Sequence, residues 1–200
     1  MKRAAWTMVF LCLLAHPVWA QEGEEEEPKP EEETLISGGI DSGGFGALVF
    51  KFSSVNDQFA TFAGARGGWI INHQFVIGAG GYGLASTICL DEDGSCFLRQ
   101  IEFGYGGFEF EYIGLWNRVA HYSLQLLIGG GGVTLPLRGF PSDGVFVAEP
   151  AARLELNVTK WFRVNVGAGY RFVSGLDLAS LENSDLSAFA GVLEFKFGSF

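Results

Sequence analysis

The chain is poor in the residues on which chemistry at a protein site most often depends. It holds three histidines and three cysteines, and one of each, His16 and Cys12, falls in an apolar stretch near the start. Zinc-ligand spacing, a phosphate-cradling loop and a dinucleotide fingerprint are all missing; the glycine run from Gly78 to Gly83 alone is too weak a pattern to count as one. No metal or cofactor is therefore expected. Base is scarce as well, with 13 Lys and Arg against 23 Asp and Glu. Without a basic patch interleaved with aromatics, nucleic acid is excluded as a partner. Long apolar runs are also lacking. The nearest, Val119 to Leu137, has no charged residue but contains His121, Ser123, Gln125, four consecutive glycines and Pro136. Its first half alternates, so it reads as a strand followed by a loop and not as a helical span.

The two ends of the first 36 residues have different characters. Lys2 and Arg3, the apolar stretch Trp6 to Ala15 and the Val18-Trp19-Ala20 site predict a cleaved export signal over 1–20. Leu11 precedes Cys12, which argues against lipidation. Residues 21–36 hold eight glutamates among prolines, a composition that cannot bury apolar surface and predicts a disordered periplasmic tail. That leaves residues 37–200 as one domain. Its cysteines, Cys89 and Cys96, predict a disulfide in an exported chain, worth about 2 to 3 kcal/mol on a chain-entropy argument. Asp91, Asp93 and Ser95 between them have some calcium-loop character but lack the distal glutamate.

The richest signal is alternation. Phe162, Val164, Val166, Ala168, Tyr170 and Phe172 fall on one face of an extended segment, with Arg163, Asn165, Gly167, Gly169 and Arg171 on the other. Eight such segments are predicted, at about 44–53, 58–71, 75–85, 98–112, 119–130, 145–158, 161–173 and 187–198. In the fourth, Ile101, Phe103 and Tyr105 share one parity and Phe108, Phe110 and Tyr112 the other, which predicts a bulge at Gly106-Gly107. Connections alternate between short and mostly long. Trp69, Trp116 and Trp161 lie at or beside the short ones, as an aromatic girdle at one membrane interface requires.

Together these features predict an all-β fold, a closed antiparallel up-and-down transmembrane barrel of about eight strands in the cell outer membrane. A soluble periplasmic lipid-binding barrel, with its apolar face inward, would alternate in the same way. Charge favours the membrane form. The polar faces hold Lys51, Arg66, Arg153, Arg163, Arg171 and Lys196 against Glu102, Glu109, Glu111, Glu149, Glu155 and Glu194. A shielded lumen needs such pairing, because an unpaired buried charge is costly. A salt-bridged, largely filled lumen is expected, with a narrow passive pore as the rival.

This pattern resembles the small eight-stranded bacterial outer-membrane barrels, the class that includes the outer-membrane protein A transmembrane domain and the attachment/invasion-type proteins. The resemblance rests on Phe189–Phe200, Leu154–Val158 and Trp161–Phe172. It implies contact with outer-membrane lipid and lipopolysaccharide, and recognition of Phe195, Phe197 and Phe200 by the barrel-assembly machinery. Phe200 is out of step with Phe195 and Phe197, so a bulge at Gly198-Ser199 is expected. His121-Tyr122-Ser123 faintly resembles the lipid A deacylases, with a base and a nucleophile on one strand face, although Leu124 stands where that family has asparagine. A lipid A hydrolase or acyltransferase is thus an alternative to a non-enzymatic role. In the favoured reading the work is structural or interactive. It is carried by loops at 86–97, 131–144 and 174–186 that could meet an extracellular partner, the apolar Val133–Leu137 stretch and Phe140 included.

Overall fold

The computed structural model describes residues 41–88, 101–134, 142–178 and 181–200. Eight strands follow one another in sequence: β1 (Ser42–Val55), β2 (Gln58–Ile71), β3 (Phe75–Leu84), β4 (Glu102–Gly114), β5 (Ala120–Thr134), β6 (Ser142–Asn157), β7 (Phe162–Ser174) and β8 (Ala188–Ser199). Each pairs antiparallel with its neighbour, and β8 returns to β1 from Gly44 opposite Ser199 to Phe52 opposite Gly191. The expected closed up-and-down barrel is what forms. One short helix, α1 (Asn183–Leu186), precedes β8. The predicted signal (1–20), the acidic tail (21–36), Cys89, Cys96 and the Pro136–Phe140 stretch lie outside the described residues.

Local chemistry sets the reversals. Asn56 and Asp57 both take left-handed φ, 49° and 57°, and join β1 to β2 in a two-residue turn that Asn and Asp tolerate. Asn72 and His73 also take left-handed φ, in the three-residue turn after β2, where the Asn72 Oδ1 accepts the Asp41 N–H at 3.1 Å. The end carrying residues 72–74, 115–119 and 158–161 is called the turn end. The end at which β3, β5 and β7 finish is the loop end.

Parity divides the wall. Leu48, Phe50, Phe110, Leu124, Leu154, Val166 and Phe172 point outward and are exposed, while Arg171 and Lys196 point inward with none of their surface accessible. Glycine makes room for that inner set. A Cβ on Gly80 would lie 2.5 Å from the Glu109 Oε1, and one on Gly167 would lie 2.9 Å from the Arg153 Cγ.

Two predicted bulges are absent. β4 keeps one register with both neighbours through Gly106 and Gly107. Ile101, Phe103 and Tyr105 therefore share the inner face with Glu109 and Glu111, while Phe108 and Phe110 face out. The change of phase in the sequence marks a change of interior layer. Toward the loop end the interior is apolar, with Val55, Phe62, Phe103, Val133, Val147 and Val173 in one buried cluster that Leu186 of α1 joins. The turn-end half is ionic, with a smaller apolar cluster of Phe45, Ala47, Ile70, Val76 and Ile113 beside the charges. Glu102, whose parity is opposite to that of Glu109, is exposed on the outside and does not belong to the lumenal charges. Likewise β8 runs unbroken along β1 through Gly198, so Phe200 keeps the inner parity and packs against Phe45, Ala47, Ile70, Val76 and Ile113.

Gly81 and Gly167 make a controlled pair. A Cβ at Gly167 would meet the Ala152 carbonyl oxygen at 2.2 Å, whereas one at Gly81 meets nothing within 4 Å. Gly167→Ala is expected to lose the folded, heat-shifted gel band, while Gly81→Ala should leave urea unfolding in detergent within about 0.5 kcal/mol of wild type.

Candidate functional site

The inner face of the turn-end half gathers nearly all the charge expected there. Three carboxylates act as hubs. Glu194 accepts from the Arg153 Nη1 at 2.7 Å and from the Asn165 Nδ2 at 2.9 Å, with the Arg66 Nε at 3.5 Å. Glu155 accepts from the Lys196 Nζ at 2.6 Å and from the Arg163 Nη1 at 2.6 Å, and meets the His121 Nε2 at 3.1 Å. Glu111 pairs with Arg66 and stands 3.4 Å from the Lys196 Nζ. Arg66 also reaches Glu109 at 3.1 Å. Because Arg66 and Lys196 each touch more than one carboxylate, these pairs form one network spanning β2, β4, β6, β7 and β8. Buried charges persist only when paired and hydrogen-bonded in this way.

A second, smaller group sits where the ionic layer meets the apolar one. The Lys51 Nζ donates to the Glu149 Oε1 at 2.5 Å and to the Tyr105 hydroxyl at 3.1 Å, and the Tyr105 hydroxyl donates to the Glu149 Oε2 at 2.6 Å. The same ammonium lies 3.3 Å from the Tyr82 ring centroid. The Tyr82 hydroxyl donates to the Glu109 Oε1 at 2.5 Å and so ties this group to the larger network. Removing Glu102 from the interior leaves six bases against five carboxylates there.

Arg171 is the base without a carboxylate among the described residues. Its Nε donates to the Leu186 carbonyl at 2.7 Å and its Nη2 to the Ser54 carbonyl at 3.0 Å. The guanidinium lies 4.5 Å from the Phe62 ring centroid, a cation–π contact that suits its apolar layer. It thereby fastens the end of α1 to the end of β1. Tyr82, Tyr105 and Asn165 were not among the predicted site residues. Tyr105 shares parity with Glu109 on β4 and Asn165 with Arg163 on β7, the signal that could have found them, whereas glycine-rich β3 offers none for Tyr82.

His121 and Ser123 do share the inner face, but no hydrogen bond joins them. The His121 Nδ1 faces the Arg118 carbonyl at 3.2 Å and its Nε2 faces Glu155. Both ring nitrogens meet acceptors, and neither is directed at a hydroxyl. The Ser123 Oγ is buried with no partner among the described residues. A base and nucleophile need mutual contact and access to substrate, and this pair has neither. The three tryptophans, Trp69, Trp116 and Trp161, are all exposed at the turn end. Trp116 stacks on His73 with centroids 4.5 Å apart, and Trp161 stacks on the outward Phe197 at 6.1 Å. Phe195 also faces outward, against Phe50 and Phe162.

No protein-family profile matches the sequence, and no curated protein matches it significantly. Solved structures do match. Neisserial surface protein A (NspA) aligns over 81% of this chain and 99% of its own, at 12% identity and a TM-score of 0.56. Ail, the attachment invasion locus protein of Yersinia pestis, aligns over 78% of this chain and 97% of its own, at 10% identity and a TM-score of 0.50. The N-terminal β-barrel domain of Pseudomonas aeruginosa OprF covers 77% of this chain and 96% of its own, at 9% identity and a TM-score of 0.50. The chain has the fold of the small eight-stranded outer-membrane barrels. At these identities the likeness lies in backbone path and strand number.

Glu155 and Glu102 test the layered interior. Glu155→Ala leaves Lys196, Arg163 and His121 without their shared acceptor and is expected to cost about 3 to 5 kcal/mol in equilibrium unfolding from detergent micelles. The same change at exposed Glu102 should cost less than about 0.5 kcal/mol.

Proposed function

We propose that the protein is an integral outer-membrane barrel that conducts no ions and presents its loop end to partners outside the cell. The observation that carries this reading is the inversion of the wall: arginine, lysine and glutamate are shielded around the axis while phenylalanine and leucine are exposed outside. Water cannot stabilise such an exterior and hydrocarbon can, and a basic residue on a lipid-facing wall would cost about 2 to 4 kcal/mol at mid-membrane. The tryptophans at the turn end serve as an interfacial girdle. Residues 1–20 act as the export signal that brings the chain to the periplasm. Residues 21–36 then form an acidic tail there, with Phe195 and Phe197 as the aromatics offered to the assembly machinery and lipopolysaccharide as the surrounding lipid. The interior is filled, because eight strands enclose little more than their own side chains.

The character of the loop end narrows the partner. Asp57, Asp177 and Glu182 are exposed there and Asp143 and Asp185 half-exposed, and no exposed Lys or Arg accompanies them among the described residues. Ail has been solved with the heparin analogue sucrose octasulfate. The acidic rim here opposes a polyanion of that kind and favours a basic surface. A Cys89–Cys96 disulfide would stiffen the adjoining loop, and a mass increase of two hydrogens on reduction would reveal it.

Two measurements test the reading. Purified barrel in planar bilayers is expected to be silent, and steady conductance would replace the filled lumen with a pore. In detergent at physiological salt the protein should pass through immobilised heparin unretained; retention would remove the preference for a basic partner.

A further inference from the structure

The wall of the barrel has one interruption, and it is placed where a ligand could use it. β6 and β7 keep a single register from Phe146–Ser174 to Asn157–Arg163, yet the two pairs Glu149–Arg171 and Pro150–Tyr170 are missing from the ladder. Pro150 explains the gap. It has no N–H to give a neighbouring strand, and proline inside a sheet is confined to such sites. Pro150 still lies opposite Leu126 on β5, so the opening is on the β7 side alone.

A notch of about 400 Å³ occupies this place, walled by Leu124, Pro150, Ala152, Ala168, Tyr170 and Phe189 on the outer face. Ala152 and Ala168 stand directly opposite each other, so the wall is thinnest there. The floor reaches residues of inner parity, Gln125 among them. Gln125 is buried, and no hydrogen bond to a described residue engages its amide. Ala168, Tyr170 and Phe189 also line a second groove, of about 720 Å³, that climbs toward the loop end to Phe59, Ser54 and Ser187. The two recesses meet at these three shared residues.

We propose that this channel in the outer wall holds one acyl chain of a lipid from the loop-end leaflet. The proposal rests on the membrane reading above. The walls are mainly apolar and carry no charge, which favours a hydrocarbon chain over a charged headgroup. The lining descends from the rim at Phe59 to mid-wall at Pro150 while crossing from β2 to β5, an oblique path open to a flexible tail. Ser54 and Ser187 at the upper end suit the ester region.

The test is photolabelling in nanodiscs of phosphatidylcholine containing a small fraction of the same lipid with a diazirine on one chain. A diazirine at the chain terminus is expected to label 150–152 and 168–170 about tenfold above Phe110 and Ile77 on the opposite wall, the preference that about 1.4 kcal/mol of site affinity confers. A diazirine beside the ester should instead label Phe59 and Ser187. Ala168→Leu and, independently, Ala152→Leu fill the notch and should abolish the enrichment while labelling elsewhere persists. Even labelling around the wall, or enrichment unchanged in both variants, would overturn the bound chain and leave the membrane barrel standing. Folded protein that takes no label at any outward position would overturn both.

Discussion

The constraint from which the structure follows is that a wall facing hydrocarbon must satisfy all its backbone donors and acceptors internally. Ring closure does this. Once β8 pairs with β1 there is no free edge, and antiparallel neighbours supply the remaining hydrogen bonds. Closure then imposes two further conditions through parity alone. Alternate residues must suit lipid, and the rest must suit a narrow axis crowded by their neighbours. Glu155, shared by Lys196, Arg163 and His121, shows how the second condition is met. At Pro150 the pairing of β6 with β7 lapses locally.

The interior solves its packing problem with two chemistries. The turn-end half holds an ion network in which each base meets a carboxylate, beside a small apolar cluster of Phe45, Ala47, Ile70, Val76 and Ile113. Near the loop end the interior is a hydrocarbon core that Leu186 helps to close. Tyr82 and Tyr105 span the boundary, with rings against the apolar cluster and hydroxyls on Glu109 and Glu149. A cation at that boundary needs both environments. Lys51 has them: a carboxylate on one side and the Tyr82 ring on the other.

Strand number, closure and the direction in which Arg163 and Arg171 face were legible in the sequence, because period-two alternation reports which side a residue faces. What lies on each side was read less well. The expectation of a uniformly polar interior turned Ile101, Phe103 and Tyr105 into evidence for a bulge and put Glu102 among the inward charges. Alternation carries no information about height along the axis, so a layered interior looks like a slip in register. The same assumption placed a bulge before Phe200, which instead packs inside the turn end, 3.8 Å from the Arg163 guanidinium. Pro150 was visible in the sequence, but the gap beside it depends on which neighbour its missing donor faces, and that is a property of the sheet.

Arg171 holds the last segment before β8 by a main-chain oxygen, that of Leu186, and by the Ser54 oxygen on β1. A grip on backbone is indifferent to the identity of the residues gripped. The side chains of Asn183 and Ser187 add to that hold by accepting the Leu176 and Val173 N–H groups, so the segment is tied to the wall by its main chain and its own side chains together.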